Sequence, residues 1–198
     1  MIADTHIFAG LRNRGAAKPL TVERHIQTRE RSMNAHKAVE KDPREALIKE
    51  MKDLRAGMLG VEGTHQHMQP MTHYPDWDRN EIWFLTSKDT DLVRSLSPGA
   101  KAHFCVMSAD QDFDACLRGT LTETRDPGKL EEIWSPVAAA WFHGGKEDPD
   151  LTMLRLALED AALWGSSASA LKFGFEIAKA NLNEDEKPNI GTHRVITF

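Results

Sequence analysis

Cysteine is nearly absent: Cys105 and Cys116 are the only two in 198 residues, too few for the disulfide framework of a small secreted domain. Both sit in apolar, strand-like segments and read as small buried hydrophobes of a cytoplasmic protein. Long hydrophobic runs are missing as well. No apolar stretch approaches the roughly 20 residues of a membrane helix, and no charged segment leads into an apolar one at the amino terminus. The expectation is a chain that neither spans a membrane nor is exported. Positive charge is not in excess either: the formal net charge is -5 and the pI ≈ 6.0, which excludes the broad basic footprint of a nucleic-acid binder. Neither an internal repeat nor a low-complexity tract is present. What remains is a chain long enough to bury one ordinary core.

Arg12, Arg14, Lys18, Arg24, Arg29 and Arg31 cluster in residues 1–40 with few acids and no apolar period. That stretch reads as a flexible extension; the alternative is a basic arm for acidic partners. Regular structure is expected from Asp42-Pro43-Arg44-Glu45, where Asp42 caps, Pro43 takes the first helical position and Glu45 completes a capping box. Leu47, Met51, Leu54 and Met58 continue at helical spacing, and Gly57 offers a stop. Short strand-like runs follow over 58–62, 65–74, 81–86, 100–108 and 115–124, with turn residues between them. A short helix is expected over 89–97 and another over 128–140, interrupted at Ser135-Pro136. Strands over 151–158 and 161–164, a helix over 168–181, an acidic link over 183–188 and a last strand over 192–198 complete the reading. The fold class is mostly β, a β-barrel with peripheral helices, with one domain over 41–182 and a linker and docking strand over 183–198.

Fold alone does not give function. The segment Trp83-Phe84-Leu85-Thr86-Ser87-Lys88 ends an apolar strand in two hydroxyls and a lysine, just before Asp89. Hydroxyls, backbone donors and an ammonium together make a phosphate grip. Read by itself it is equally an ordinary strand-to-helix turn with a Ser or Thr cap. His65 and His67, with His73 or His103, offer a weaker metal reading, because no Asp, Glu or Cys stands at a recognisable ligand spacing beside them. Gly144-Gly145-Lys146 lacks the earlier glycine of a nucleotide loop, and no hydrolase constellation is present.

Three segments in order carry a resemblance: Gln69-Pro70-Met71, then Trp83 to Asp89, then Trp141-Phe142-His143-Gly144-Gly145-Lys146-Glu147-Asp148-Pro149-Asp150-Leu151. With Gly57-Met58-Leu59 before them and Trp164-Gly165-Ser166 after, the chain resembles the pyridoxamine 5′-phosphate oxidase-like FMN-binding split barrels, in their general stress protein branch. The resemblance spans about residues 40 to 182. It implies a split-barrel homodimer with FMN at the subunit interface. By that resemblance the strand segment Gln69, Pro70, Met71 and Thr72 lies along the flavin edge mainly through its backbone, His67 two residues before it belongs to the cofactor site, and Leu85 and Thr86 run beside the ring and ribityl chain. Ser87 and Lys88 then hold the phosphate, and Trp141 and Trp164 help close the pocket from the same or the partner subunit.

The chain also departs from the family pattern. Gln69 and His67 stand where basic residues are common, so a permanent charge is replaced by a neutral hydrogen-bonding group and a mostly uncharged ring. His143 replaces a proline and Gly165 an aspartate. The carboxy-terminal Trp and Arg signature of the vitamin B6-forming oxidases is not found in Gly191 to Phe198. The implied function is a flavin-dependent oxidoreductase acting on a small electron donor or acceptor, with no catalytic acid or base identified. The alternatives are a non-catalytic flavin-binding stress protein, or a scaffold that has lost FMN.

Overall fold

The computed structural model describes residues 35–166, 177, 179 and 191–198. Helix α1 covers 35–41 and α2 covers Pro43–Asp53, broken at Asp42, whose carboxylate accepts a 3.0 Å hydrogen bond from the Glu45 amide. The expected cap is therefore present. Ala35 and Val39 from α1, and Ala46, Leu47 and Met51 from α2, are all buried in one core. This moves the start of the folded domain: residues 35–40 pack on the core instead of belonging to a loose extension, and residues 1–34 lie outside the described residues. The small side chains of Ala35 and Ala38 gave α1 too little apolar period to be read. Gly57 is not a helix stop but lies in β1, where a Cβ would come within 2.5 Å of the Cys105 carbonyl oxygen.

Among the described residues eight antiparallel strands follow: β1 (Ala56–Val61), β2 (Gln69–Thr72), β3 (Tyr74–Asp76), β4 (Glu81–Ser87), β5 (Lys101–Met107), β6 (Phe113–Thr124), β7 (Leu151–Ser166) and β8 (Gly191–Thr197). Their order is β2-β1-β5-β6-β7-β4-β3, with β8 added to β7. β2 and β3 occupy opposite ends of that order yet are joined by His73 alone. One extended segment thus pairs first with β1 and then with β4, which curls the sheet into a barrel. The expected strand over 65–74 is shorter than read, since His65 and His67 lie in the loop before β2 and are exposed. β7, expected as two strands, is continuous for 16 residues. Its register slips against the Arg118/Gly119 step of β6. A Cβ on Gly119 would lie 2.0 Å from the Ala157 carbonyl oxygen, so the irregularity needs glycine there.

Short helices decorate the barrel: α3 (Asp91–Arg94), α4 (Pro127–Ile133) and α5 (Pro136–Trp141), each opened by a side-chain cap from Thr90, Asp126 or Ser135. The interruption expected at Ser135-Pro136 separates α4 from α5. The expected final helix lies outside the described residues except for Ile177 and Lys179, which are helical. Inside the barrel, Phe84 meets Phe104 edge-on at 5.1 Å, surrounded by Leu59, Ile82, Leu117 and Leu154. Outside it, α4 lays Ile133 and Leu130 over Trp83, Leu85 and Met153. Among the described residues no helix is long and apolar enough to cross a membrane.

Candidate functional site

β4 alternates strictly. Ile82, Phe84 and Thr86 turn inward and are buried, while Trp83 and Leu85 turn outward beneath α4. The outward phase delivers Ser87 at the strand's end, opposite Leu151 of β7. The Lys88 amide donates to the Asp150 carbonyl at 2.9 Å, and its ammonium donates to the Pro149 carbonyl at 2.6 Å. Ser87 Oγ accepts from the Asp89 amide at 3.3 Å. The 144–150 loop that receives Lys88 is organised by Asp148, whose carboxylate accepts from the Gly144 and Asp150 amides at 2.9 and 3.0 Å. Those two bonds, the Gly144 one foremost, hold the Asp148 carboxyl below its usual range. A cavity of about 340 Å³ opens here, lined by Lys88, Glu123, Leu130, Lys146, Asp148 and Thr152 among others. Thus two of the motifs singled out in the sequence, the strand end and the glycine loop, meet in space.

The third lies on the neighbouring strand. β2 approaches β4, with Met71 buried inward, Gln69 half-buried, and Pro70 and Thr72 exposed on the outer surface. His67 is exposed in the loop before it. The residues expected beside a flavin therefore divide: Pro70, Thr72, Ser87 and Lys88 reach the outer surface, whereas Met71 and Thr86 present only backbone there. A flat ring and a phosphate can be accommodated by such a set. Of the three donors on the Lys88 ammonium, the hydrogen bond to Pro149 engages one, and no carboxylate lies within ion-pair distance of it among the described residues.

The two tryptophans do not join this group. Trp141 ends α5 and is exposed, and neither it nor Trp164 lines the cavity. Trp164 sits near the far end of β7, whose 16 residues run roughly 50 Å at about 3.3 Å each. Ser87 pairs with the first of those residues.

Trp164 belongs to a different surface, which the sequence reading missed. The outer faces of β2, β1, β5, β6, β7 and β8 align in register, giving the row Pro70, Met58, Cys105, Cys116, Ala162, Val195. The next row holds Met107, Asp114, Trp164 and His193. Met58, Met107, Trp164 and Val195 are all exposed, and Trp164 stacks on His193 at 5.0 Å. Asp114 is embedded here with its Oδ1 unpartnered, and burial together with the neighbouring Asp112 carboxylate pushes its pKa up. Cys105 and Cys116 are half-buried on this face, not the core hydrophobes expected of them. The alternation of His103, Cys105 and Met107 against buried Phe104 and Val106 was the available signal.

The histidines considered for a metal are dispersed. His73 is buried, its Nε2 3.1 Å from the Met51 carbonyl oxygen, and burial lowers its pKa. His103 is on the outer face of β5, where its Nε2 is 2.9 Å from a Glu62 carboxylate oxygen. Among the described residues no group of three His, Cys, Asp or Glu side chains is arranged so that it could hold a metal ion.

A curled antiparallel barrel with a lysine-bearing strand end and an exposed apolar outer face defines a class, and the comparisons agree with it. Residues 42–189 match the family "Pyridoxamine 5'-phosphate oxidase like", and the chain belongs to that family. It is 38% identical to a protein described as a general stress protein 26 of Jannaschia sp. CCS1, covering 76% of this chain and 94% of that one, with a TM-score of 0.60. It is also 38% identical to the general stress FMN/FAD binding protein of Xanthomonas citri, covering 61% and 87%, with a TM-score of 0.57. A Clostridium acetobutylicum protein related to general stress protein 26 shares the fold at 19% identity, covering 60% and 85%, with a TM-score of 0.53. No curated protein matches.

Proposed function

We propose that this chain binds FMN on the outer surface between β2 and the end of β4, as a homodimer, and passes electrons to or from a small molecule. The observation that carries the reading is Lys88: its ammonium is fixed by the Pro149 carbonyl beside Ser87, at the edge of the exposed Pro70 and Thr72 surface. The Xanthomonas citri relative, at 38% identity, is described as an FMN/FAD binding protein. Ser87 and Lys88 take the phosphate, while the backbone of Gln69 to Thr72 lies along the ring. Leu85 and Thr86 shape the strand beneath the ribityl chain. When bound, the flavin supplies the redox chemistry, and the protein fixes its orientation and excludes water.

Two features of the chain support the dimer. Met58, Met107, Trp164 and Val195 form one exposed apolar face of the kind that a second subunit covers. Trp164 lies too far along β7 to reach its own Ser87, so Trp164 of the partner subunit closes the pocket. Trp141, exposed on α5, is the second tryptophan that the family resemblance assigns to closing the pocket.

Gln69 favours a second reading, binding without turnover, because a neutral amide stabilises an anionic flavin less than an arginine would. The test is a visible spectrum of purified protein with FMN added and the excess removed by gel filtration. A retained flavin near one per chain at dimer size is expected, and no binding in titration would overturn the proposal. Turnover with a reduced nicotinamide separates the two readings. Lys88→Ala is expected to weaken FMN binding by about 1.5–3 kcal/mol, the loss of a charge-assisted bond; unchanged titration would remove Lys88 from the phosphate role.

A further inference from the structure

Cys105 and Cys116 are the chain's only cysteines, and they face each other as direct register partners on β5 and β6. Residues opposite one another on antiparallel strands have Cα atoms about 4.5–5.5 Å apart, inside the roughly 4.4–6.8 Å that a disulfide spans. A proton acceptor stands beside the pair: His103 Nδ1 is 3.3 Å from Cys116 Sγ, and its Nε2 is 2.9 Å from a Glu62 carboxylate oxygen. Neither cysteine is used by the flavin site.

We propose that Cys105 and Cys116 form a redox-active dithiol that reduces small hydroperoxides and closes to a cross-strand disulfide. The hydrogen bond from Cys116 brings the Cys105 thiol down to about 7, against the opposing effect of burial, whereas the same bond pushes Cys116 up. Cys105 is therefore the nucleophile and Cys116 the resolving thiol. The Cys105 thiolate, its proton released to water, attacks the hydroperoxide: an S–O bond forms, the O–O bond breaks, and the departing alkoxide or hydroxide takes a proton back from water. Cys116 passes its proton to His103, whose imidazolium is held by Glu62, and attacks the Cys105 sulfur. An S–S bond forms, the S–O bond breaks, and hydroxide leaves as water with the His103 proton. In sum two thiols and one hydroperoxide give one disulfide, one alcohol or water, and one water. The charged groups around the pair are His103 on β5, Glu62 after β1, Asp114 and Arg118 on β6 and Asp160 on β7, and Arg118 and Asp160 are paired with each other.

The site rests on the geometry of one chain, but it lies on the face assigned to the dimer, so both wild type and Trp164→Ser, the variant designed to separate the subunits, are tested. Each full chain is reduced, freed of reductant, treated with hydrogen peroxide, alkylated and weighed intact under denaturing conditions. The expected product is about 2 Da lighter, carries no alkyl group and contains a β5–β6 linked peptide. Cys116→Ala should halt at a Cys105 sulfenic acid that dimedone traps, and the midpoint of Cys105 alkylation should move up from about 7. His103→Gln should slow disulfide closure at least tenfold and raise dimedone trapping. Full alkylation of both cysteines in both chains after peroxide, or linkage only between chains, would overturn the proposal.

Discussion

The two halves of β7 face different worlds. Its first half, Leu151 to Leu158, lies between β4 and β6, with the barrel core beneath it and Ile133 of α4 above Met153. Its second half, Asp160 to Ser166, lies between β6 and β8, with the same core beneath but Trp164 exposed above. The same strand is thus wrapped on both faces at one end and left open at the other. Where a helix covers the sheet, the chain completes its own structure. Where none does, the apolar rows of Met58, Met107, Trp164 and Val195 are available to a second copy.

The largest effect should come from the interior both halves share. Phe84→Ala removes a fully buried ring that contacts Phe104 and should lower unfolding free energy by about 3–5 kcal/mol in urea titration. The covered half is next. Lys129 is buried with its ammonium 2.8 Å from Asp76 and 2.7 Å from Glu132. Lys129→Ala should cost about 1–3 kcal/mol by stranding the Asp76 side of that bond. The pH dependence sharpens this: the hydrogen bond from Lys129 lowers the Asp76 pKa, so the pair's stabilisation is complete above the ordinary aspartate range and fades as pH falls through the lowered value. Lys129→Ala should flatten that acid limb.

The open half should behave in the opposite way. Trp164→Ser should change chain stability by no more than about 0.5 kcal/mol while shifting sedimentation from dimer to monomer and weakening FMN retention. The smallest effect belongs to Asp114, whose pKa burial and Asp112 raise. Its ionised form opposes folding, so Asp114→Asn should raise the melting temperature slightly at neutral pH, and the gain should vanish below the ordinary aspartate range.

Much of this was legible before the structure. The Asp42 cap, the end of an apolar strand at Ser87 with Lys88 just beyond it, and the break at Pro136 all follow from local chemistry that does not depend on the fold. Three features did not. β7 looked like two strands because Glu159 and Asp160 interrupt its apolar run; they are tolerated because Lys101 and Arg118 pair with them across the sheet. The barrel closes through His73, and no local pattern distinguishes a residue that joins two strands from one inside a strand. The outer rows were hidden because residues from six strands align only once the register is fixed, and Cys105 beside Cys116 is a fact of pairing, not of sequence spacing.

The central claim is that each flavin site is assembled from two chains, with Ser87 and Lys88 from one and Trp164 from the other. Lys88→Ala and Trp164→Leu, an apolar replacement that keeps the subunits paired, each depleted in FMN binding alone, should be mixed, allowed to exchange subunits and titrated with FMN. Random pairing at equal amounts leaves about a quarter of the sites with both native residues, so recovery of about that fraction at wild-type affinity is predicted. No recovery, with subunit exchange demonstrated, would contradict the account and place Trp164 outside the flavin site.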